Sequence, residues 1–312
     1  MRDLDRRVRM QMAQEIARRV EVSAVLDELG RAGVTPILMK GTALAYTVYD
    51  SPVLRPREDT DLLIAESDID SARRILASRG YAATAQCHEL FCQFEMQRTD
   101  QFGVAHAFDI HWHISTQPVF RRVITHADAW TRAEPVPALG AGVRALGRVD
   151  AMLLACVHPV MHHRGDARAL WLYDMHLLAG ALSPEEFDAL AVEARRRAVA
   201  AVCASQLRHT QSVFGTAIPG SVFEQLDTAS GEPSAEYLAS QRKWHHELAA
   251  SVRAEASLGA RLHLLRGVVA PPREYMLATY GLRGTVLGGW LLPALYLHRN
   301  LRGAWKILAG KK

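Results

Sequence analysis

The run Arg55-Pro56-Arg57-Glu58-Asp59-Thr60-Asp61-Leu62-Leu63-Ile64 places two carboxylates two residues apart, just ahead of an apolar stretch. On a β-strand, residues i and i+2 point to the same face. Asp59 and Asp61 therefore project together from the start of a strand whose continuation, Leu62-Leu63-Ile64, reads as buried. Two carboxylates held side by side repel each other, so a fold keeps them with something cationic between them, usually a divalent metal ion. Taken alone, the pair also fits an exposed strand start making turn and cap hydrogen bonds. Its neighbours in the chain separate the two readings.

Upstream, Val34 to Met39 reads as an apolar strand, followed by Lys40-Gly41-Thr42 and a helix through about Val48. A glycine at a strand-to-helix junction lets backbone approach a ligand closely. The helix start that follows offers unpaired N–H groups and a positive dipole end to phosphate. Thr42 adds a hydroxyl and Lys40 a charge. The Gly-x-x-x-x-Gly-Lys spacing of a Walker loop is missing. Downstream, Ala107-Phe108-Asp109-Ile110-His111-Trp112-His113-Ile114 alternates cleanly. Phe108, Ile110, Trp112 and Ile114 take one face, and Asp109, His111 and His113 the other. The spacing predicts that Asp109 completes a three-carboxylate metal site with Asp59 and Asp61. A half-exposed edge strand with solvated polar residues is the alternative.

Strand, Gly-Thr turn, helix, Asp-x-Asp strand and a later strand with a third Asp resemble the nucleotidyltransferase superfamily related to DNA polymerase β. More closely, the chain is similar to a bacterial family of uncharacterised nucleotidyltransferases. That family carries a Lys-Gly-x-Ala turn, an Arg shortly before Asp-x-Asp-Leu-Leu, and an Asp-x-His-Trp strand. Here these are Lys40-Gly41-Thr42-Ala43, Arg55, Asp59-Thr60-Asp61-Leu62-Leu63 and Asp109-Ile110-His111-Trp112. Thr42 stands where the wider superfamily has Ser or Gly, and the gap to the Asp pair is longer.

The resemblance implies an α/β (α+β) fold: a nucleotidyltransferase-type mixed sheet with flanking helices, followed by an all-helical C-terminal domain. It implies Asp59, Asp61 and Asp109 as metal ligands for two Mg²⁺ ions, with Mn²⁺ as a substitute. Lys40, Gly41, Thr42 and Arg55 would grip a nucleoside triphosphate, and His111 would orient the acceptor or support the ligands. The expected reaction moves a nucleoside monophosphate from the triphosphate to a hydroxyl of an unidentified acceptor (peptide, protein, RNA or small molecule) and releases pyrophosphate. Two other readings stay open: a nucleotide-binding scaffold with weak catalysis, and a metal-dependent hydrolase with water as nucleophile.

At 312 residues the chain is long enough for two domains, and residues 1–140 and 141–312 are expected to be these. Apolar content of 49% with 22% charged residues fits a soluble protein. A net charge of +4 suits a polyanionic substrate without demanding nucleic acid, and no basic stripe interleaved with aromatics marks a single-strand surface. Cys87, Cys92, Cys156 and Cys203 lack zinc-type spacing and read as free thiols. The first residues lack a signal-peptide core, and the longest apolar stretch, Val286 to Leu297, is too short to span a bilayer. Cytoplasmic location without stable membrane insertion is the expectation.

Along the chain, Leu4, Val8, Ile16, Val20, Val25 and Leu29 predict a helix over 3–32, and Ser67 to Gly80 predicts another. Strands over 88–98 and 104–114 predict a hairpin through Thr99 to Gly103. The Pro- and Gly-containing stretch 132–143 reads as a boundary or crossing loop. Helical patterns then run over about 149–164, 166–180, 183–198, 200–214, 221–230 and 233–268, the last as one long or two shorter helices, broken by Pro271-Pro272.

His158, His162 and His163 lie near Asp166 and the run Tyr173-Asp174-Met175-His176. Three readings fit them: a structural zinc, a polar network with His158 and Asp174 as partners, or a lining for the nucleotide or acceptor cleft. The basic tail helix fits an acidic partner or membrane surface, or else packs its apolar side on the helical domain.

Overall fold

The computed structural model describes residues 2–83, 92–163, 168–228, 231–239, 244–282 and 284–308. Helix α1 (Arg2–Arg31) leads into strand β1 (Ile37–Met39) and, with no intervening turn, helix α2 (Lys40–Thr47). Strand β2 (Thr60–Leu63), helix α3 (Ile69–Ser78) and strands β3 (Ala82–Ala83), β4 (Gln93–Thr99) and β5 (Ala105–His111) follow. Short helices α4 (Pro118–Arg121) and α5 (His126–Arg132) precede strands β6 (Glu134–Pro135) and β7 (Arg144–Ala145).

These strands form one seven-stranded mixed sheet in the order β3-β4-β5-β2-β1-β7-β6. β2 runs antiparallel to β1 and parallel to β5. The stretch 132–143, read as a boundary or crossing loop, contributes β6, and β7 follows it and pairs parallel with β1. Two-residue strands are too short to show a period of two, which is why they were illegible. Pro135 is tolerated because β6 is a sheet edge.

The core beneath the sheet joins Leu38, Leu62, Ile64, Phe108 and Ile110 to Ala72 and Leu76 of α3 and to Val22, Val25, Leu26 and Leu29 of α1. The inward face of α1 departs from the expected spacing in its first half. Val8, Ile16 and Val20 are exposed, while Glu15 and Glu21 are buried, and the Leu4 side chain lies outside the described residues.

The reason is charge pairing. Glu15 accepts hydrogen bonds from Tyr46 Oη and Arg57 Nη2, both at 2.6 Å. Glu21 accepts from Tyr81 Oη at 2.9 Å and pairs with Arg98 at 2.8 Å and Arg79 at 3.2 Å. A buried carboxylate is tolerable only with such partners, and these two set which side of the helix faces in.

Helices α6 (Arg148–His163), α7 (Ala169–Ala181), α8 (Pro184–Arg196), α9 (Ala200–Phe214) and α10 (Gly220–Asp227) pack on one another, and α6 also meets α2. A reciprocal cap, Ser183 with Glu186, starts α8. Residues Met1–Leu238 form one compact unit, so the sheet and α6–α10 share it and position 140 falls inside it. Ala239–Lys312 form a second unit with α11 (Trp244–Ala254), α12 (Leu258–Val269), α13 (Arg273–Thr279) and α14 (Val286–Leu308).

The 233–268 stretch, read as one long or two shorter helices, forms a short 3₁₀ helix over Pro233–Leu238 and then α11 and α12, while the apolar 286–297 segment continues without a break to Leu308 in one helix, α14. Cys92, Cys156 and Cys203 are free and buried, and Cys87 lies outside the described residues. No described helix is long and apolar enough to cross a membrane.

Candidate active site

Strand register builds the site. In the parallel pair β2–β5, Asp61 lies opposite Asp109, so the two carboxylates share a face, and His111 is the next residue on that face of β5. The His111 ring, through Nε2, lies 3.0 Å from Asp61 Oδ1 and 3.1 Å from Asp109 Oδ2. Gln93 of β4 donates its side-chain amide to the same Asp109 oxygen at 3.0 Å. From the other side, Met39 pairs with Asp61, so the next residue, Lys40, sits over the carboxylate and donates to Oδ1 at 2.6 Å. Lys40 reaches this position in the left-handed backbone region, at φ 53°. Such a conformation costs a non-glycine residue on the order of 1–3 kcal/mol and persists where its surroundings hold it.

The charges tune one another. Burial opposes ionisation of Asp61, but Lys40 and His111 outweigh it and hold the carboxyl far below its usual range. Burial likewise works against the Lys40 ammonium and the His111 imidazolium. Asp61 and Asp109 overcome it in both cases, so both groups stay protonated above their ordinary pKa values. Asp59 differs: it precedes β2 and is exposed at the rim. The walls around it still remove enough water that desolvation, then repulsion from Asp61, pushes its carboxyl up to about 6.

Ligand atoms of Asp61, Asp109 and His111 all lie within 4.8 Å of one another, the only such metal-capable group among the described residues. Asp109 Oδ1 and His111 Nδ1 are buried with no hydrogen-bond partner among the described residues. A buried carboxylate oxygen left over in this way, beside a second carboxylate and an imidazole, is the donor chemistry that a divalent ion takes. The set fits a divalent metal. Two of the three expected carboxylates converge; Asp59 stays outside the group, and His111 takes the third place. The period of two that runs from Asp109 to His111 carried that signal in the sequence.

The expected phosphate-gripping residues divide. Gly41 lines the cleft in the first turn of α2, and no side chain caps that helix start. Thr42 is buried and spends its hydroxyl on the Asp59 carbonyl, 3.1 Å away, and on Thr60 Oγ1 at 3.3 Å. It fastens α2 to the acidic strand. Arg55 also lines the cleft, but its Nε and Nη2 grip both oxygens of Asp174 at 2.7 and 2.8 Å. The Asp174 carboxylate also accepts from Tyr49 Oη at 2.7 Å, and Asp174 and His158 both line the cleft, one of the three readings open for them. Nothing local in the sequence links positions 55 and 174, so this pair was missed.

Arg55 and Asp174 border a cleft of about 500 Å³, with Lys40, Gly41, Asp59 and Asp61 on the sheet side. Leu154, His158 and Trp171 lie on the helical side, where the His158 ring meets Trp171 edge-on with centroids 5.2 Å apart. His162 stacks at a tilt on His158, and His163 and Asp166 lack described side chains.

The mixed sheet thus sets Asp61 opposite Asp109, with a glycine-bearing helix start beside them. The chain belongs to the family described as uncharacterised nucleotidyltransferase, whose family model matches residues 1–215. Membership makes it a transferase and implies a nucleoside triphosphate substrate.

Two solved structures resemble the chain. Antibiotic-resistance factor ANT(2'')-Ia shares 12% identity over 62% of this chain and 96% of its own, with a TM-score of 0.40. An antigenic nucleotidyltransferase-like protein from Paracoccidioides brasiliensis shares 16% over 66% and 96%, with a TM-score of 0.41. At these values neither informs the choice of substrate. Comparison with curated proteins gives no match.

Proposed function

We propose that the protein transfers a nucleoside monophosphate from a nucleoside triphosphate to a hydroxyl of an acceptor, with release of pyrophosphate. The observation that carries this is the register that sets Asp61 opposite Asp109 with a buried, unpaired carboxylate oxygen, directly beside the Lys40–Gly41 helix start. Asp61, Asp109 and His111 would hold a divalent ion, Mg²⁺ or Mn²⁺, and exposed Asp59 would add a carboxylate for a second. Bound there, the metal supplies charge neutralisation of the triphosphate and acidification of a hydroxyl.

The remaining work falls to the chain. The uncapped amides at the start of α2 and the positive end of its dipole bind phosphate oxygens. Lys40, already between Asp61 and the cleft, balances the carboxylates and turns to the incoming phosphates. Thr42 keeps Asp59 in register with α2, and Gln93 holds the Asp109 carboxylate in orientation. The acceptor oxygen forms its bond to the α-phosphorus while the bond from that phosphorus to the bridging oxygen breaks. Pyrophosphate leaves, and the hydroxyl proton passes to solvent or a cleft carboxylate.

A thermal-shift panel of ATP, GTP, CTP and UTP, with and without Mg²⁺, tests the donor half of this proposal. A ligand specific to the folded state stabilises it by about 2.7 kcal/mol at a hundred times its dissociation constant. A rise in melting temperature with at least one triphosphate, dependent on Mg²⁺, is expected. Identical melting temperatures throughout would count against the proposal.

A further inference from the structure

We propose that the C-terminal unit is a docking surface for an anionic lipid bilayer, laid on the membrane through α12 and α14. In α14, Trp290, Leu297, Leu301 and Trp305 are 84%, 62%, 62% and 67% exposed. Their spacing of seven, four and four puts them on one helix face, about 22 Å long at 1.5 Å per residue. In α12, Leu258, Leu262, Leu265 and Val269 repeat the pattern, and all four are exposed. Monomeric proteins rarely leave apolar surface of this extent in water.

The opposite side of α14 is already used. Tyr296 Oη donates to the Pro271 carbonyl at 2.6 Å, Asn300 Nδ2 to the Val269 carbonyl at 3.0 Å, and Arg299 to the Val268 carbonyl. These bonds tie α14 to the end of α12 through the face away from its tryptophans. The apolar stripe of α14 therefore faces away from α12.

Charge selects the occupant. Residues 239–312 hold twelve Lys and Arg against three Asp and Glu, while the rest of the chain is net negative, since the whole is only +4. Arg261 and Arg266 flank the apolar stripe of α12, Arg302 lies beside that of α14, and all three are exposed. Apolar faces with tryptophans and basic flanks are the pattern of helices that lie in the headgroup region of anionic membranes. A second copy packing through this same face would bring like charge against it. A nucleic acid would take the charge but leave the tryptophans and leucines in water. No described helix can cross the bilayer, so the contact is peripheral and reversible.

Flotation of the full-length protein through a density gradient tests this, because aggregates sink while vesicle-bound protein rises. Vesicles of phosphatidylglycerol with phosphatidylcholine should carry the protein upward, and phosphatidylcholine alone should not. A Trp290→Ser/Trp305→Ser variant that melts like wild type should float about tenfold less. Arg261→Gln/Arg266→Gln, altering charge without touching the apolar face, should lose binding at lower salt than wild type. Failure to float with anionic vesicles would overturn the proposal, as would undiminished flotation of the tryptophan variant. So would retention on heparin without flotation, which would assign the charge to a soluble polyanion.

Discussion

Asp61→Asn is expected to lower nucleotidyl transfer by about a thousandfold, the scale of losing a preorganised electrostatic contact worth ~4 kcal/mol at the reacting centre. Asp61 is the hub of the site. It receives Lys40, touches His111 and belongs to the metal-capable group with Asp109. Asparagine keeps the shape but removes the charge that a divalent ion and Lys40 both need. The same change should erase any Mg²⁺-dependent part of the nucleotide-induced thermal shift. Asp109→Asn should behave alike, since its second oxygen is the buried one left unpaired. Asp59→Asn should cost less, because Asp59 stands at the rim outside that group. Steady-state rates for the three variants, with circular dichroism to show that each is folded, give the ranking. Near-normal activity of Asp61→Asn would remove the metal assignment.

Arg55→Ala is expected to destabilise the Met1–Leu238 unit by about 3–5 kcal/mol, the cost of leaving one half of a buried ion pair alone. Arg55 is 6% exposed and Asp174 4%, and two hydrogen bonds join them between the approach to β2 and helix α7. Burial raises the Asp174 carboxyl above its ordinary range despite Arg55 and Tyr49. A carboxyl with a raised folded-state pKa contributes stability below its unfolded value and loses it as pH climbs through the folded value. Around neutrality the pair therefore holds these elements in position more than it stabilises them. The double variant Arg55→Met/Asp174→Leu should recover most of the loss, and more completely at neutral pH than in acid. Denaturant unfolding of the two single variants and the double variant measures this. A double variant no better than the singles would show that the pair is worth more than its desolvation costs.

The pattern of local residues made part of this legible in advance. Asp61 and Asp109 stood out because of their strand settings, and the alternation from Phe108 to Ile114 fixed which face was polar, whereas Asp59, one residue ahead of β2, stays outside the group that the spacing of two implied. The helix start at Lys40–Gly41 was visible as a change of period. What stayed hidden depends on partners far apart in the chain. Glu15 and Glu21 turn inward only because Arg57, Arg79, Arg98, Tyr46 and Tyr81 arrive from other elements. The family resemblance implied Arg55 as a phosphate ligand, and its guanidinium pairs with Asp174 at the edge of the cleft. Thr42 read as a phosphate donor, but its hydroxyl reaches the Asp59 carbonyl, a contact set by the way α2 packs on β2. In each of these cases the residue type was informative, and the direction of the side chain was not.

The most direct test of nucleotidyl transfer uses triphosphates labelled on the α-phosphate, incubated with the protein, Mg²⁺ and fractionated cell extract. The account predicts label covalently attached to an acceptor, pyrophosphate in equal amount, and neither with Asp61→Asn. Label recovered solely as free nucleoside monophosphate, or no turnover of any triphosphate, would contradict it.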